Sequence, residues 1–367
     1  MPARAYVVDG VGVEHFLTAR QMERGPRLWW LGLKMLLGGT PRFGHVVASR
    51  EQQDEIIAAL ARELDDGAIG IGMGLAYTPG ADGPEIARVF ELAVARGVPV
   101  FVHLHGQDHP EDTAPLETVL GHARATGAAL HVVHVNSSSM AAIEAYLARI
   151  AEARKEGLDV TTEAYPYTAG STRLESALFD PGWREKRGLD YGDLQWAATG
   201  ERLTAESFAH YRKQGGTVII HGNKPERVAL AIAHPLVMIA SDGMPMQERS
   251  AHPRGAGTRA RVLAHHVRER GDLELMSAIE KMSLAPARRL EAFVPAMREK
   301  GRIRLGADAD LVVFDAATVR DRATFEAPHQ ASEGIPHVIV EGRFVVRDGA
   351  LVEGALPGRA LRSQGRQ

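Results

Sequence analysis

The chain has 367 residues, 45% of them hydrophobic and 24% charged, with a formal net charge of −3. That balance suits a globular protein with one large domain and a smaller companion, and offers no basic block for nucleic acid or an anionic membrane surface. Cysteine is absent, which excludes disulfides, thiolate ligands and a cysteine nucleophile, so any metal must be held by nitrogen and oxygen donors.

In chain order, "MPARAYVVDGVGVEHF" carries no signal-type apolar core, and no apolar run approaches the ~20 residues that cross a bilayer, so the default location is the cytoplasm. "AYVVDGV" (5–11) reads as a first strand. "SREQQDEIIAALARELDDG" (49–67) follows with apolar residues at three and four spacing and a closing glycine, which predicts a helix. "GAIGIGMG" (67–74) is the next strand, 82–97 another helix of the same kind, and "VPVFVHLH" (98–105), "AALHVVHV" (128–135) and "LDVTTEAY" (158–165) are further strands. The alternation predicts parallel strands with crossover helices, as in a (β/α) barrel. Residues 168–215 break the rhythm and are expected to insert over the barrel mouth; "GTVIIHG" (216–222) fits either the barrel or that insertion. "LVMIASDG" (236–243) resumes the pattern. Beyond about residue 295 short strands alternate with glycine turns, and "VIVEGRFVVRDG" (338–349) is a hairpin that a parallel barrel cannot contain. The expected division is an α/β barrel over 1–295 and a C-terminal β domain over 296–367.

Reactive residues of such barrels sit at the carboxyl ends of strands. Here those ends carry His103 and His105, then His134, then Tyr165 and Tyr167, and finally Asp242. An alternating strand points His103 and His105 to one side, so either both are ligands of one centre or one is a bystander. A lone strand-end histidine is commonly a hydrogen-bonded structural residue. Imidazoles and a carboxylate at three strand ends form the donor set of a catalytic divalent metal. Arg254, on the loop after Asp242, suits a substrate carboxylate through paired hydrogen bonds. Arg173 is a candidate for an acidic substrate side chain or a surface residue, while His109, His221 and His252 read as structural or loop residues.

"TTEAYPYTAGST" (161–172), "MIASDG" (238–243), "HPRGAGT" (252–258), "PARRLE" (286–291) and "KGRIRLGADADLVVFD" (300–315) together resemble the N-acyl-D-amino-acid deacylases of the amidohydrolase superfamily. "HVVHVNSS" (131–138) is similar to the branch that acts on N-acyl-D-glutamate. The resemblance implies a (β/α)8 barrel with a small β sandwich, and zinc-dependent hydrolysis of the linear amide of a small-molecule N-acyl-D-amino acid, with one zinc tightly bound. It also implies that His103 and His134, one βα unit apart, are metal ligands and that His105 is a neighbour at the mouth. Asp242 is then both a ligand and the group that takes and returns the proton of the attacking water. Arg254 and a tyrosine of the "YPY" motif, Tyr165 or Tyr167, hold the substrate carboxylate. Asn136 stands where many members have a lysine of the same pocket.

By the same resemblance, strands three to eight are present, strands one and two with their H-x-H pair are not, and the expected form is N-terminally truncated. Two further readings are a catalytically inactive scaffold that binds an acylated amino acid, and a cyclic-amide hydrolase. The second predicts a strand-four lysine, which "GAIGIGMGLAYTPG" lacks. A homo-oligomer is one assembly open to the chain.

Overall fold

Ser49 starts the first long helix, Arg50–Asp65: its hydroxyl accepts from the Gln52 N–H, and the Gln52 side chain accepts from the Ser49 N–H, a reciprocal cap that satisfies two otherwise unpaired donors. The protein is described here by a computed structural model covering residues 43–244, 246 and 251–363; the strand expected at 5–11 lies outside the described residues. The helix Gly83–Arg96 begins on the Asp82 carboxylate, which accepts from the Glu85 N–H. It ends at Gly97, whose φ of 65° closes the helix in the left-handed region that glycine adopts without steric cost. Ile56, Leu60 and Leu64 of the first helix and Ile86, Val89, Phe90 and Ala93 of the second are buried, the stripe that three and four spacing dictates.

Those helices cover a parallel sheet. Strands β1 (Ile71–Gly74), β2 (Val100–His103), β3 (Leu130–Val132) and β4 (Val160–Ala164) pair in sequence order. Ile71, Val100, Leu130 and Val160 lie opposite one another and are fully buried, as expected of strands covered on both faces. The chain then leaves the sheet. Strands β5 (Gly170–Arg173), β6 (Leu194–Trp196) and β7 (Thr217–Ile220) form a separate antiparallel sheet in the order β5-β7-β6. It has its own apolar cluster, including Leu174, Phe179, Trp183, Trp196, Phe208 and Val218. "GTVIIHG" therefore belongs to the insertion, which runs to residue 220. Strand β8 (Val237–Ile239) returns beside β4, with Thr162 opposite Val237 and Ala164 opposite Ile239, giving the order β1-β2-β3-β4-β8.

The C-terminal strands β9 (Leu311–Val313), β10 (His337–Val340), β11 (Arg343–Arg347) and β12 (Ala350–Leu351) form an antiparallel sheet of their own. Between β10 and β11, Glu341 and Gly342 both have positive φ, 50° and 73°, the conformation a tight two-residue hairpin requires. Among the described residues no helix is long and apolar enough to cross a membrane.

One buried cation fixes the approach to β8. Lys281 donates to the carbonyl oxygens of Ile232 at 2.7 Å and His234 at 2.6 Å, capping the end of the helix Pro225–Ala233 where those carbonyls have no partner within the helix. Burial holds its pKa down to about 8. Replacing Lys281 with Met leaves the Ile232 carbonyl without this donor, while the His234 carbonyl keeps the Val237 N–H, and chemical denaturation should show a loss of ~1–2 kcal/mol in unfolding free energy.

Candidate active site

The parallel register brings strand ends together. His103 is the last residue of β2, His134 follows β3, Tyr165 follows β4 and Asp242 follows β8. The His103 and His134 rings meet edge to face with centroids 4.5 Å apart, and Tyr77 lies 4.8 Å from His103 on another side. Burial, then the neighbouring His134 and Arg187, push the His103 pKa well below the usual imidazole value. His103 is thus neutral, as a metal-binding imidazole must be. Strand β2 stops at His103, and His105 lies half-buried beyond it, its own pKa lowered by burial.

His134 sits in the left-handed region, φ 35° and ψ 56°, a conformation that costs a non-glycine residue energy and persists only when its surroundings enforce it. The enforcing group is Glu163. Its carboxylate oxygens accept from the His134 N–H at 2.7 and 3.0 Å, and one lies 3.2 Å from His131 Nε2. Burial opposes ionisation of Glu163, but the bonds from His131 and His134 prevail and lower its pKa. On the ring, His134 Nδ1 lies 3.0 Å from Ser138 Oγ and 3.1 Å from Ser137 Oγ. Those contacts orient the ring through Nδ1, so Nε2 is the ring nitrogen that could hold a metal.

Asp242 also has a left-handed backbone, φ 48°. Its Oδ2 accepts from Arg254 Nη1 at 2.7 Å. Arg254 is 2% exposed, and its guanidinium lies over the Tyr165 ring at 4.9 Å. Its backbone N–H donates to His252 Nδ1 at 3.0 Å, while His252 Nε2 donates to the Ala169 carbonyl at 3.0 Å. These two bonds require the neutral Nε2–H tautomer. Burial and the Arg254 charge hold the His252 pKa well below the usual value despite the bond to Ala169.

The two tyrosines of the "YPY" motif separate. Tyr165 is buried under Arg254, and its hydroxyl, near Ser137 and Asn223, makes no well-formed hydrogen bond among the described residues. Burial raises its pKa, so it remains a donor. Tyr167 faces the other way: its hydroxyl donates to the Pro253 carbonyl at 3.4 Å and its ring carries Arg261 at 4.9 Å. Asn136 is buried with its amide on the Tyr165 backbone, donating to the carbonyl at 3.2 Å and accepting from the N–H at 3.4 Å. Arg173 lies on the insertion sheet and pairs with Glu175 at 2.6 Å.

The structure thus groups His103, His134, Asp242, Arg254 and Tyr165, turns Tyr167 away, and sets Arg173 on the insertion. Side-chain donors of His103, His134 and Asp242 do not all fall within 4.8 Å of one another; Asp242 is held by Arg254 instead. The described residues that do cluster so closely are Asp308, Asp310 and Glu341. They surround the Lys300 ammonium at 2.9, 2.5 and 3.3 Å. Sequence reasoning missed Glu163, Tyr77 and Arg187. A carboxylate inside the apolar strand 158–165 was the available signal for Glu163, since a buried charge needs partners.

A parallel α/β sheet thus carries two imidazoles, a carboxylate and a buried guanidinium beyond its carboxyl ends. The chain belongs to the amidohydrolase family, whose pattern matches residues 20–346. It is 33% identical over 332 residues to the N-acyl-D-glutamate deacylase of Alcaligenes xylosoxydans xylosoxydans, covering 86% of this chain and 65% of that protein. It is 32% identical over 335 residues to the D-aminoacylase of the same organism, covering 85% and 66%. The chain therefore spans somewhat less than two thirds of the length of these relatives. A crystal structure of the N-acyl-D-glutamate deacylase from Bordetella bronchiseptica, complexed with zinc and a phosphonate mimic of the tetrahedral intermediate, matches with a TM-score of 0.73 at 30% identity, covering 87% of this chain and 68% of that one.

The buried neutral histidines around this site carry a pH signature. His221, lowered to about 4 by burial and by Arg202, and His252, lowered well below the usual value by burial and by Arg254, refuse protons in the folded state that the unfolded chain accepts below about 6.5. Their stabilisation is complete above pH 6.5 and is lost as the pH falls toward 4. Urea midpoints measured from pH 8 to pH 4 should be level at first, then fall below 6.5. In His221→Gln that fall should be smaller.

Proposed function

We propose that this site hydrolyses the linear amide bond of N-acyl-D-amino acids with the help of zinc held by His103, His134 and Asp242. The observation that carries the proposal is the His103–His134 ring contact at adjacent strand ends, on the same sheet edge as Asp242 and Arg254, in a chain similar to deacylases. Two imidazole nitrogens and a carboxylate oxygen are a donor set that zinc favours. We further assign β1–β4 and β8 to strands four to eight of a (β/α)8 barrel within residues 1–295, and residues 296–367 to a C-terminal β domain.

When bound, zinc polarises the acyl carbonyl and acidifies a water toward a pKa of ~7. The chain supplies the rest. Arg254, held by His252 at its backbone and by Tyr165 beneath its guanidinium, donates paired hydrogen bonds to the substrate α-carboxylate. The unpaired Tyr165 hydroxyl donates to the same group, and Asn136 fixes the backbone that carries it. Asp242 takes the proton of the attacking water and returns it to the leaving nitrogen. The substrate carboxylate takes over the guanidinium that Asp242 now engages, and frees that carboxylate for this task.

A rival reading, a binding scaffold without turnover, draws on the Asp242–Arg254 ion pair, which keeps the carboxylate off the histidines. Turnover of N-acetyl-D-amino acids by the zinc-loaded protein decides between them; binding without turnover favours the scaffold. With turnover, Asp242→Asn should lower kcat by ~10³-fold with the fold intact, and Arg254→Lys should act mainly on KM, raising it ~10-fold as the paired geometry is lost. His103→Ala should lower the zinc bound per chain measured by elemental analysis.

A further inference from the structure

Glu163 is placed to act on the metal site without touching the His134 ring. It is 8% exposed and lies on β4 one residue beyond Thr162. Both of its oxygens accept from the His134 backbone N–H, at 2.7 and 3.0 Å. The imidazole is engaged elsewhere, through Nδ1, by the hydroxyls of Ser138 at 3.0 Å and Ser137 at 3.1 Å. A metal-binding histidine often gives its second ring nitrogen to a carboxylate, which strengthens the ring as a donor. Here serine hydroxyls meet that nitrogen and the carboxylate meets the backbone, so the part left to Glu163 is geometric.

That geometry needs holding. His134 stands at φ 35° and ψ 56° where the chain passes from β3 into the short helix Val135–Ser139. Its carbonyl accepts from the N–H groups of Ser137 at 2.9 Å and Ser138 at 3.1 Å, bonds that belong to the turn and would move with it. Glu163 instead ties the turn to the neighbouring strand. It is braced in its own turn by His131, whose Nε2 lies 3.2 Å from Glu163 Oε2 and whose Nδ1 lies 2.8 Å from Thr161 Oγ1. His131 and Thr161 are register partners of β3 and β4, and the His131 ring packs 5.3 Å from Phe101 on β2. The orientation of His134 is thereby set by three strands of the sheet.

We propose that Glu163 is a positioning residue for zinc: by gripping the His134 backbone it presets the direction of that imidazole toward His103, and it does so through reach and hydrogen bonding, not through charge. This rests on the zinc-site reading above. A glutamine can take over the task, its oxygen accepting from the His134 N–H and its amide donating to His131 Nε2 while His131 Nδ1–H turns to Thr161 Oγ1. An aspartate keeps the charge but is one methylene short.

The test is zinc affinity of the full chain, read by competition with a chromophoric chelator, beside the visible spectrum of the cobalt-loaded protein; neither needs turnover. Glu163→Met should weaken zinc binding ~10–100-fold with the far-UV circular dichroism unchanged, and Glu163→Gln should recover it to within about threefold of the wild type. Glu163→Asp should resemble Glu163→Met. The cobalt spectrum should change in Glu163→Met and return in Glu163→Gln. Wild-type affinity in Glu163→Met, or a Glu163→Gln variant as weak as Glu163→Met, overturns the proposal. Should Glu163→Met fail to fold, Glu163→Gln against Glu163→Asp carries the same comparison, and tighter binding by the aspartate variant overturns it. Failure in the variants leaves the wild-type zinc site standing; a wild-type chain that binds no zinc defeats the zinc-site reading with it.

Discussion

The site depends on one buried carboxylate. Glu163 lies on β4, and its two oxygens take the backbone N–H of His134 on the neighbouring strand while His131 bonds one of them. Without that contact the left-handed turn at His134 has nothing to offset its strain, and the imidazole loses the direction that brings it against His103. The parallel register makes the contact available, because β3 and β4 pair with Val132 opposite Thr162 and Glu163 is the next residue along. A backbone strain at one strand end is thus held by a side chain of the next.

Arg254 plays a matching part on the far side. It joins Asp242, Tyr165 and His252, from the end of β4 and the loop after β8, through an ion pair, a ring contact and a backbone bond. A guanidinium with 2% exposure tolerates no loose partner, so the loop after β8 is positioned by the same group that the proposal gives to the substrate. The insertion forms a separate antiparallel sheet. Its own apolar cluster lets it fold as a rigid arm, and the Lys186–Asp108 pair ties that arm to the loop after β2.

Much of the scaffold was legible from pattern alone. The short apolar runs became β1–β4 and β8, the spacing of Ile56, Leu60 and Leu64 became a buried helix face, and "VIVEGRFVVRDG" became the hairpin of β10 and β11. Periodicity reports which face is covered, and strand ends follow from it, which is why His103, His134, Asp242 and Arg254 stood out. What periodicity does not report is contact between distant segments. Tyr165 and Tyr167 are equivalent in sequence, and only the packing of Arg254 and Arg261 against them separates the two. Glu163 was hidden by the aligned strands that supply its partners.

The central claim is that His103 and His134 form a zinc site. X-ray absorption at the zinc edge of the metal-loaded protein tests it directly. The account predicts first-shell nitrogen and oxygen at about 2.0–2.1 Å with outer-shell scattering from two imidazoles, and loss of that scattering in the His103→Ala, His134→Ala double variant. A shell of oxygen alone, or imidazole scattering unchanged in the double variant, would contradict it.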